Sequence, residues 1–210
     1  FDQNDNKKIL ILEDIGNNLI YERSNKNNKI QIYKKAISNI SNIQKIKVNN
    51  LPIYKEHKYF KESYLFVEWV LEKLCNFRIS NKDNNNIIKS INYLIHELNH
   101  ESNTVVHRDY HSKNIFYKNK KIIIIDYQDA VYGSPVYDLV SLLNDCYVDI
   151  DEKSRKILIN SFYDKFTPAN KKIKFSKNEF LFNYDLISTQ RHMKASGIFC
   201  RLSIKHKRHN

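Results

Sequence analysis

Two charged turns, set on either side of a short apolar hairpin pattern, constrain this chain more than any other feature. The first reads His107-Arg108-Asp109-Tyr110-His111-Ser112-Lys113-Asn114 and the second Asp126-Tyr127-Gln128-Asp129. Between them, Ile115 to Tyr117 and Lys121 to Ile125 have the apolar character of strands, joined by the polar turn Lys118-Asn119-Lys120. Thr104 to Val106 reads as a further short strand leading into the first turn. Asp109 stands five residues before Asn114, and Asp126 follows twelve residues after that Asn, directly behind four isoleucines. A strand–turn–strand frame places these three side chains on neighbouring turns. The run Ile122 to Ile125, apolar at every position, is expected to be buried on both faces.

Phosphoryl transfer asks little covalent chemistry of a protein: a carboxylate at the attacking hydroxyl, ligands for Mg²⁺, and positioning. Taken singly, Asp109, Asn114 and Asp126 have plain explanations, since an Asp at a strand end caps a turn and an Asn sits well in a solvated loop. Taken together, their spacing matches the H-R-D-x-x-x-x-N turn and metal-binding Asp of kinases. Asp109 is then the expected base, Asn114 and Asp126 the expected Mg²⁺ ligands. His107 and Arg108 are counted with the catalytic turn as braces of its backbone, and Asp138 as a cap or hydrogen-bonding group near a helix start. Two departures separate the chain from protein kinases. His111 stands two places after Asp109, where those enzymes usually carry Lys, and Tyr127-Gln128 follows Asp126 in place of Phe-Gly. Eleven residues between Asp126 and Asp138 leave no room for a long activation segment. The expected acceptor is therefore a small molecule.

The rest of the chain is read mostly as helix. Apolar residues recur at helical spacing from Leu19 to Ile46, interrupted by an Asn/Lys-rich loop at Ser24 to Lys29. Further helices are expected over Lys61 to Phe77, Ile87 to Leu98 (after a polar loop at Ser80 to Asn86), Val136 to Cys146, Glu152 to Phe166, and Lys177 to Ser203. A strand is expected over Lys8 to Leu12. With 210 residues there is room for one substantial domain. No apolar run is long enough to cross a membrane, and no membrane partner is expected. The formal charge of +12 invites a nucleic-acid reading. However, Lys, Asn and Ile are over-used together, as biased base composition would produce, and the lysines are scattered apart from the tail Lys205-His206-Lys207-Arg208-His209. No nucleic-acid partner is therefore expected. Three widely spaced cysteines without a CxxC pair argue for reduced thiols and a cytoplasmic setting rather than a zinc or disulfide framework.

These pieces resemble the aminoglycoside phosphotransferase and choline kinase superfamily, and within it the bacterial anomeric kinases of N-acetylmuramate and N-acetylglucosamine used in cell-wall recycling. The matching stretches are Leu12-Glu13-Asp14-Ile15-Gly16, Leu51-Pro52-Ile53-Tyr54 with Glu68-Trp69, His107 to Asn114, Ile125 to Ala130, Tyr137 to Leu143, and Gln190-Arg191-His192 through Arg201-Leu202. Ser134 departs from the family's usual Pro, with Pro135 one place later. The resemblance implies an α+β protein-kinase-like carboxyl-terminal lobe, mostly helical, whose small β cluster carries the catalytic and metal loops. It implies ATP and Mg²⁺ as cofactors, with Glu13, Asp14 and Ile15 as the hinge that meets adenine, and an amino sugar as partner substrate facing Gln128, Asp129, Arg191 and His192. Residues 1–16 would be the end of an amino-terminal-lobe strand and the hinge, and 17–210 the carboxyl-terminal lobe. The rest of the amino-terminal lobe, with its phosphate-holding Lys, would be missing. On that expectation the chain alone binds Mg-ATP weakly and transfers no phosphate. Alternatives are a kinase of aminoglycosides or other small alcohols, or a non-catalytic remnant.

Overall fold

The computed structural model of the protein describes residues 2–4, 9–11, 13–98, 104–165 and 175–206. In chain order its elements are β1 (Asp2–Asn4), β2 (Ile9–Ile11), α1 (Ile20–Arg23), α2 (Lys29–Ile43), α3 (Glu56–Leu65), a π-helix π1 (Phe66–Leu74) and α4 (Asn81–Glu97). There follow β3 (Thr104–Val106), β4 (Ile115–Lys118), β5 (Lys121–Ile124), β6 (Val131–Gly133), α5 (Tyr137–Leu143), α6 (Glu152–Lys165) and α7 (Lys177–His206). The architecture is α+β. The strands form three two-stranded antiparallel sheets, pairing β1 with β2, β3 with β6, and β4 with β5.

The helices surround a core centred on α5. Every residue of α5 is buried, and α5 packs against α2, α6 and α7. Its sequence explains this: Leu139, Val140, Leu142 and Leu143 leave no polar stripe for solvent. The two polar side chains it does carry, Asp138 and Ser141, are buried as well and must find partners inside. They find them in the first charged turn: the Ser141 hydroxyl donates to the Arg108 carbonyl at 3.5 Å, and the Asp138 bonds are described below. Ile32, Tyr33, Ala36, Ile37 and Ile40 of α2 supply one wall of the core, and Phe180, Tyr184 and Ile187 of α7 supply another.

The hairpin β4–β5 pairs Ile115 with Ile124 and Lys118 with Lys121, so both charged turns emerge at the same end of the ribbon. One face of the ribbon packs on α2. Isolated bridges join Leu19 to Phe116 and Ile53 to Tyr132.

Several expectations are corrected. Residues 122–124 are half-buried and Ile125 is 37% exposed, because α2 on β5 and the short α1 on β4 leave part of this two-stranded ribbon open. The segment Ser80 to Asn86 is not a loop. Ser80 caps α4 through its hydroxyl, which accepts from Asp83 N at 3.2 Å and donates to the Asp83 carboxylate at 2.7 Å, so the helix starts at Asn81. The helix expected over 61–77 begins earlier, at Glu56, and changes pitch at Phe66, where the Cys75 amide reaches back to the Val70 carbonyl. Strands β1 and β6 were not anticipated. The helix expected over Val136 to Cys146 stops at Leu143. Lys8, Leu12, Phe166 and the Lys207 to His209 part of the tail lie outside the described residues.

Candidate active site

The β4–β5 ladder brings the two turns together, since the Ile125 amide donates to the Asn114 carbonyl at 3.1 Å. Asn114 Nδ2 donates to the backbone carbonyl of Asp109 at 3.0 Å and lies 3.4 Å from Asp126 Oδ2. Both neighbours are acceptors, which fixes the orientation of the amide and leaves Asn114 Oδ1 turned away from them. Asp126 adopts a φ of +70°, a left-handed conformation that costs a non-glycine residue about 1 kcal/mol or more and is found at functional turns. Gln128 Nε2 donates to Asp126 Oδ1 at 2.7 Å. Asp126 and Gln128 are exposed, while Asp109 and Asn114 are half-buried.

This edge could hold Mg²⁺. Among the described residues there is no group of three or more His, Cys, Asp and Glu that could enclose a metal ion. Mg²⁺ does not need one, because it commonly takes one or two protein oxygens and completes its octahedron with phosphate oxygens and water. The exposed Asp126 carboxylate fits that donor set, and Asn114, whose Nδ2 faces Asp126, would add its amide oxygen with the amide turned over.

Behind this open edge the first turn is anchored at many points. The carboxylate of Asp138 accepts from the His107 amide at 2.8 Å and the Arg108 amide at 3.0 Å. Burial pushes the Asp138 carboxyl above its ordinary range, and these two bonds pull it only part of the way back. Arg108, with φ +75°, presents its carbonyl to Arg191 NH1 at 2.9 Å and its guanidinium to Glu62 Oε1 at 2.6 Å. The Arg191 guanidinium lies over the Tyr137 ring at 4.7 Å. His107 Nε2 meets the Ile125 carbonyl at 3.0 Å, bracing the second turn from the first. His107 and Arg108 brace the backbone of the two turns, and their amides hang from Asp138.

A cavity of about 160 Å³ opens between the first turn and α7, with His111, Asp145, Arg191, His192 and Phe199 in its wall. Asp145 caps the turn from this side, accepting from the Ser112 amide at 2.8 Å and the Tyr147 amide at 2.9 Å. Burial holds the His111 imidazole below its ordinary pKa. Of the four residues expected to face a sugar, Arg191 and His192 line this cavity. Gln128 is bonded to Asp126, and Asp129 offers its carbonyl to Arg108 NH1 at 3.3 Å. At the expected hinge, Glu13 and Asp14 are exposed, Asp14 accepts from the Gly16 amide at 2.7 Å, and the Ile15 carbonyl accepts from Asn18 Nδ2 at 3.1 Å. The Asn18 carbonyl then accepts from the Tyr117 amide at 2.7 Å, tying the hinge segment to β4. Glu62, Lys194 and Asp145 were missed by the sequence reading. The signal for Glu62 was a carboxylate between Tyr59 and Ser63, both on the buried face of α3.

The hairpin carries D-x-x-x-x-N and a following Asp on a helical core. Residues 10–169 match the APH phosphotransferase enzyme family, and the chain belongs to that family. It is 28% identical over 200 residues to an N-acetylmuramate/N-acetylglucosamine kinase of Neisseria meningitidis serogroup B, covering 92% of this chain and 60% of the relative. It is 27% identical over 195 residues to the protein of the same name in Pseudomonas aeruginosa, covering 92% and 58%. The chain thus spans about 60% of the length of the curated relatives it matches. An ADP-bound aminoglycoside phosphotransferase superposes with a TM-score of 0.45 at 14% identity, over 83% of this chain and 68% of that one, a likeness too loose to build on.

Proposed function

We propose that the protein carries the catalytic part of an ATP-dependent kinase that phosphorylates a hydroxyl of an amino sugar, N-acetylmuramate or N-acetylglucosamine. The observation that carries this reading is the Asn114 amide, which donates to the Asp109 backbone carbonyl and faces the Asp126 carboxylate, so that the three residues proposed as base and metal ligands sit on adjoining turns. The names of the relatives support the choice of acceptor. Asp109 orients the sugar hydroxyl and accepts its proton as the oxygen forms a bond to the γ-phosphorus and the bond to the β-phosphate oxygen breaks. Asn114 and Asp126 hold Mg²⁺, which when bound neutralises charge building on the phosphate oxygens. The segment Glu13 to Ile15 lies along the adenine. Arg191 and His192 face the acceptor across the cavity behind the turn. On this reading the reaction is cytoplasmic and serves the reuse of cell-wall sugars, which dependence on ATP and the free thiols support.

The test is transfer of labelled γ-phosphate from ATP by the full-length protein, screened across amino sugars, aminoglycosides and simple alcohols. Turnover on N-acetylmuramate or N-acetylglucosamine far above the other acceptors is expected. Preference for an aminoglycoside, or no Mg²⁺-dependent transfer at all, would overturn the reading.

A further inference from the structure

Two struts cross from the first charged turn to the second. His107 Nε2 meets the Ile125 carbonyl at 3.0 Å, and Arg108 NH1 donates to the Asp129 carbonyl at 3.3 Å. They hold the chain on both sides of Asp126, the residue forced into a left-handed conformation. The arginine strut is the longer and weaker bond. A guanidinium on a flexible stem would not rest there unless something aimed it. Glu62, on α3 and 46 residues earlier in the chain, does so: its Oε1 accepts from Arg108 NH2 at 2.6 Å, a charge-assisted bond. The Tyr54 ring lies against the guanidinium at 4.9 Å, and the Tyr54 hydroxyl donates to the other Glu62 oxygen. Lys194 Nζ lies 3.3 Å from that second oxygen. The side chains of Arg108 and Glu62 are only 7% and 13% exposed, so water competes little for these bonds.

We infer that Glu62 is a positioning residue for the metal-bearing turn. It acts through Arg108, fixing residues 126–129 and so the direction in which the Asp126 carboxylate points relative to Asn114. What Asp126 holds rests on the function proposed above; the positioning can be measured without it. Neither residue touches the reacting atoms.

Glu62→Gln alone would leave Arg108 and Lys194 short of a counter-charge and risks unfolding the chain. The decisive variant is therefore Glu62→Gln with Lys194→Met, which removes one charge of each sign. Arg108→Lys, which keeps a cation beside Glu62 and loses the planar fork, is its companion. In the full-length protein, hydrogen exchange at the amides of residues 127–130 should quicken by about tenfold in both variants, while α2 and α5 exchange as in the wild type. The Mg²⁺ concentration needed for half-maximal ADP binding should rise by about fivefold or more, because a displaced carboxylate no longer meets the ion. A folded double variant with unchanged exchange at 127–130 would overturn the inference. So would faster exchange with an unchanged Mg²⁺ requirement, which would make Glu62 a stabilising residue alone. A wild-type protein that binds no ADP in a Mg²⁺-dependent way would sink the proposed function, and the exchange measurement would still decide the role of Glu62.

Discussion

The back and the front of the catalytic turn are built in opposite ways. At the back, Asp138, Glu62, Arg108 and Arg191 are joined by bonds of 2.6 to 3.0 Å, out of water and anchored in α3, α5 and α7. At the front, Asp126 meets Asn114 at 3.4 Å and Gln128 at 2.7 Å, and both contacts are exposed. A site that binds a metal and a phosphate, as proposed here, would gain from this division. The back is tied together by protein groups and keeps the geometry; the front keeps oxygen atoms available for a ligand. Preorganisation of this kind removes the reorganisation that would otherwise accompany reaction. Substitutions at the back should therefore cost fold stability and those at the front should cost function, and the predictions below test that division from the largest effect on stability to the smallest.

Asp138→Ala should be the most damaging. It strands two buried amides that now donate to a carboxylate, a loss of about 3 to 5 kcal/mol in urea unfolding. The pH dependence sharpens this. Because burial raises the folded-state pKa of Asp138 above its ordinary 3.8, the folded state holds this proton more tightly than the unfolded state does. Its contribution is full below 3.8 and declines as pH rises through the folded value. The stability gap between wild type and Asp138→Ala should therefore narrow between pH 4 and pH 8. A gap that widened would show that the two amide bonds outweigh burial.

Gly197→Ala comes next. A Cβ at Gly197 would lie 2.5 Å from the Leu65 carbonyl carbon and 2.7 Å from its oxygen, where α7 crosses the junction of α3 and π1. Backbone cannot rotate aside as a side-chain tip can, so the helices must part, costing about 1 to 3 kcal/mol. Arg191, further along α7, would lose its hold on the Arg108 carbonyl, and activity should fall together with the thermal midpoint. A variant as stable as the wild type would mean that the crossing is looser than drawn.

Much of this division was legible in the sequence, and the illegible part has identifiable causes. Asp109, Asn114 and Asp126 were readable because a short hairpin fixes their relation through local spacing alone. Asp138 was readable as a hydrogen-bonding residue at a helix start. Glu62 was not, since 46 residues separate it from Arg108 and only the packing of α3 on α7 brings it near. The placement of Gln128 depends on a side-chain bond to Asp126 that residue order does not encode. Strand β6 is three residues long and exists through its partner β3, so no periodicity could announce it. The change of pitch at Phe66 leaves the apolar spacing nearly intact and passes for ordinary α-helix.

Asp109→Asn removes the proposed proton acceptor and leaves the bond holding Asn114 in place, because that bond goes to the Asp109 backbone carbonyl. Its unfolding free energy should stay within about 0.5 kcal/mol of wild type. In the full-length enzyme kcat should fall by about 10²-fold or more with KM little changed, because proton acceptance acts in the transition state. Retention of more than about a tenth of kcat would remove Asp109 from the base role.

The smallest effect on stability is expected at the tip of the front, in Asp126→Asn. The residue is exposed and has φ +70°, and Asn tolerates the left-handed region at least as well as Asp does. The bond from Gln128 Nε2 can be kept by an amide oxygen, and the new amide nitrogen gives up only the long, exposed 3.4 Å contact with Asn114 Nδ2, which water can replace. The change in unfolding free energy should lie within about 0.5 kcal/mol of zero and could favour the variant. Mg²⁺-dependent nucleotide binding should behave in the opposite manner. A neutral amide holds a hard dication far less well than a carboxylate, so the Mg²⁺ enhancement of ADP affinity should largely vanish in titration calorimetry. Asn114→Ala, which removes the neutral ligand and leaves the charged one, should raise the Mg²⁺ requirement without abolishing it. If Asp126→Asn instead unfolded the chain, the second turn would be part of the structural back, and the separation of a fixed back from a ligand-ready front would not hold.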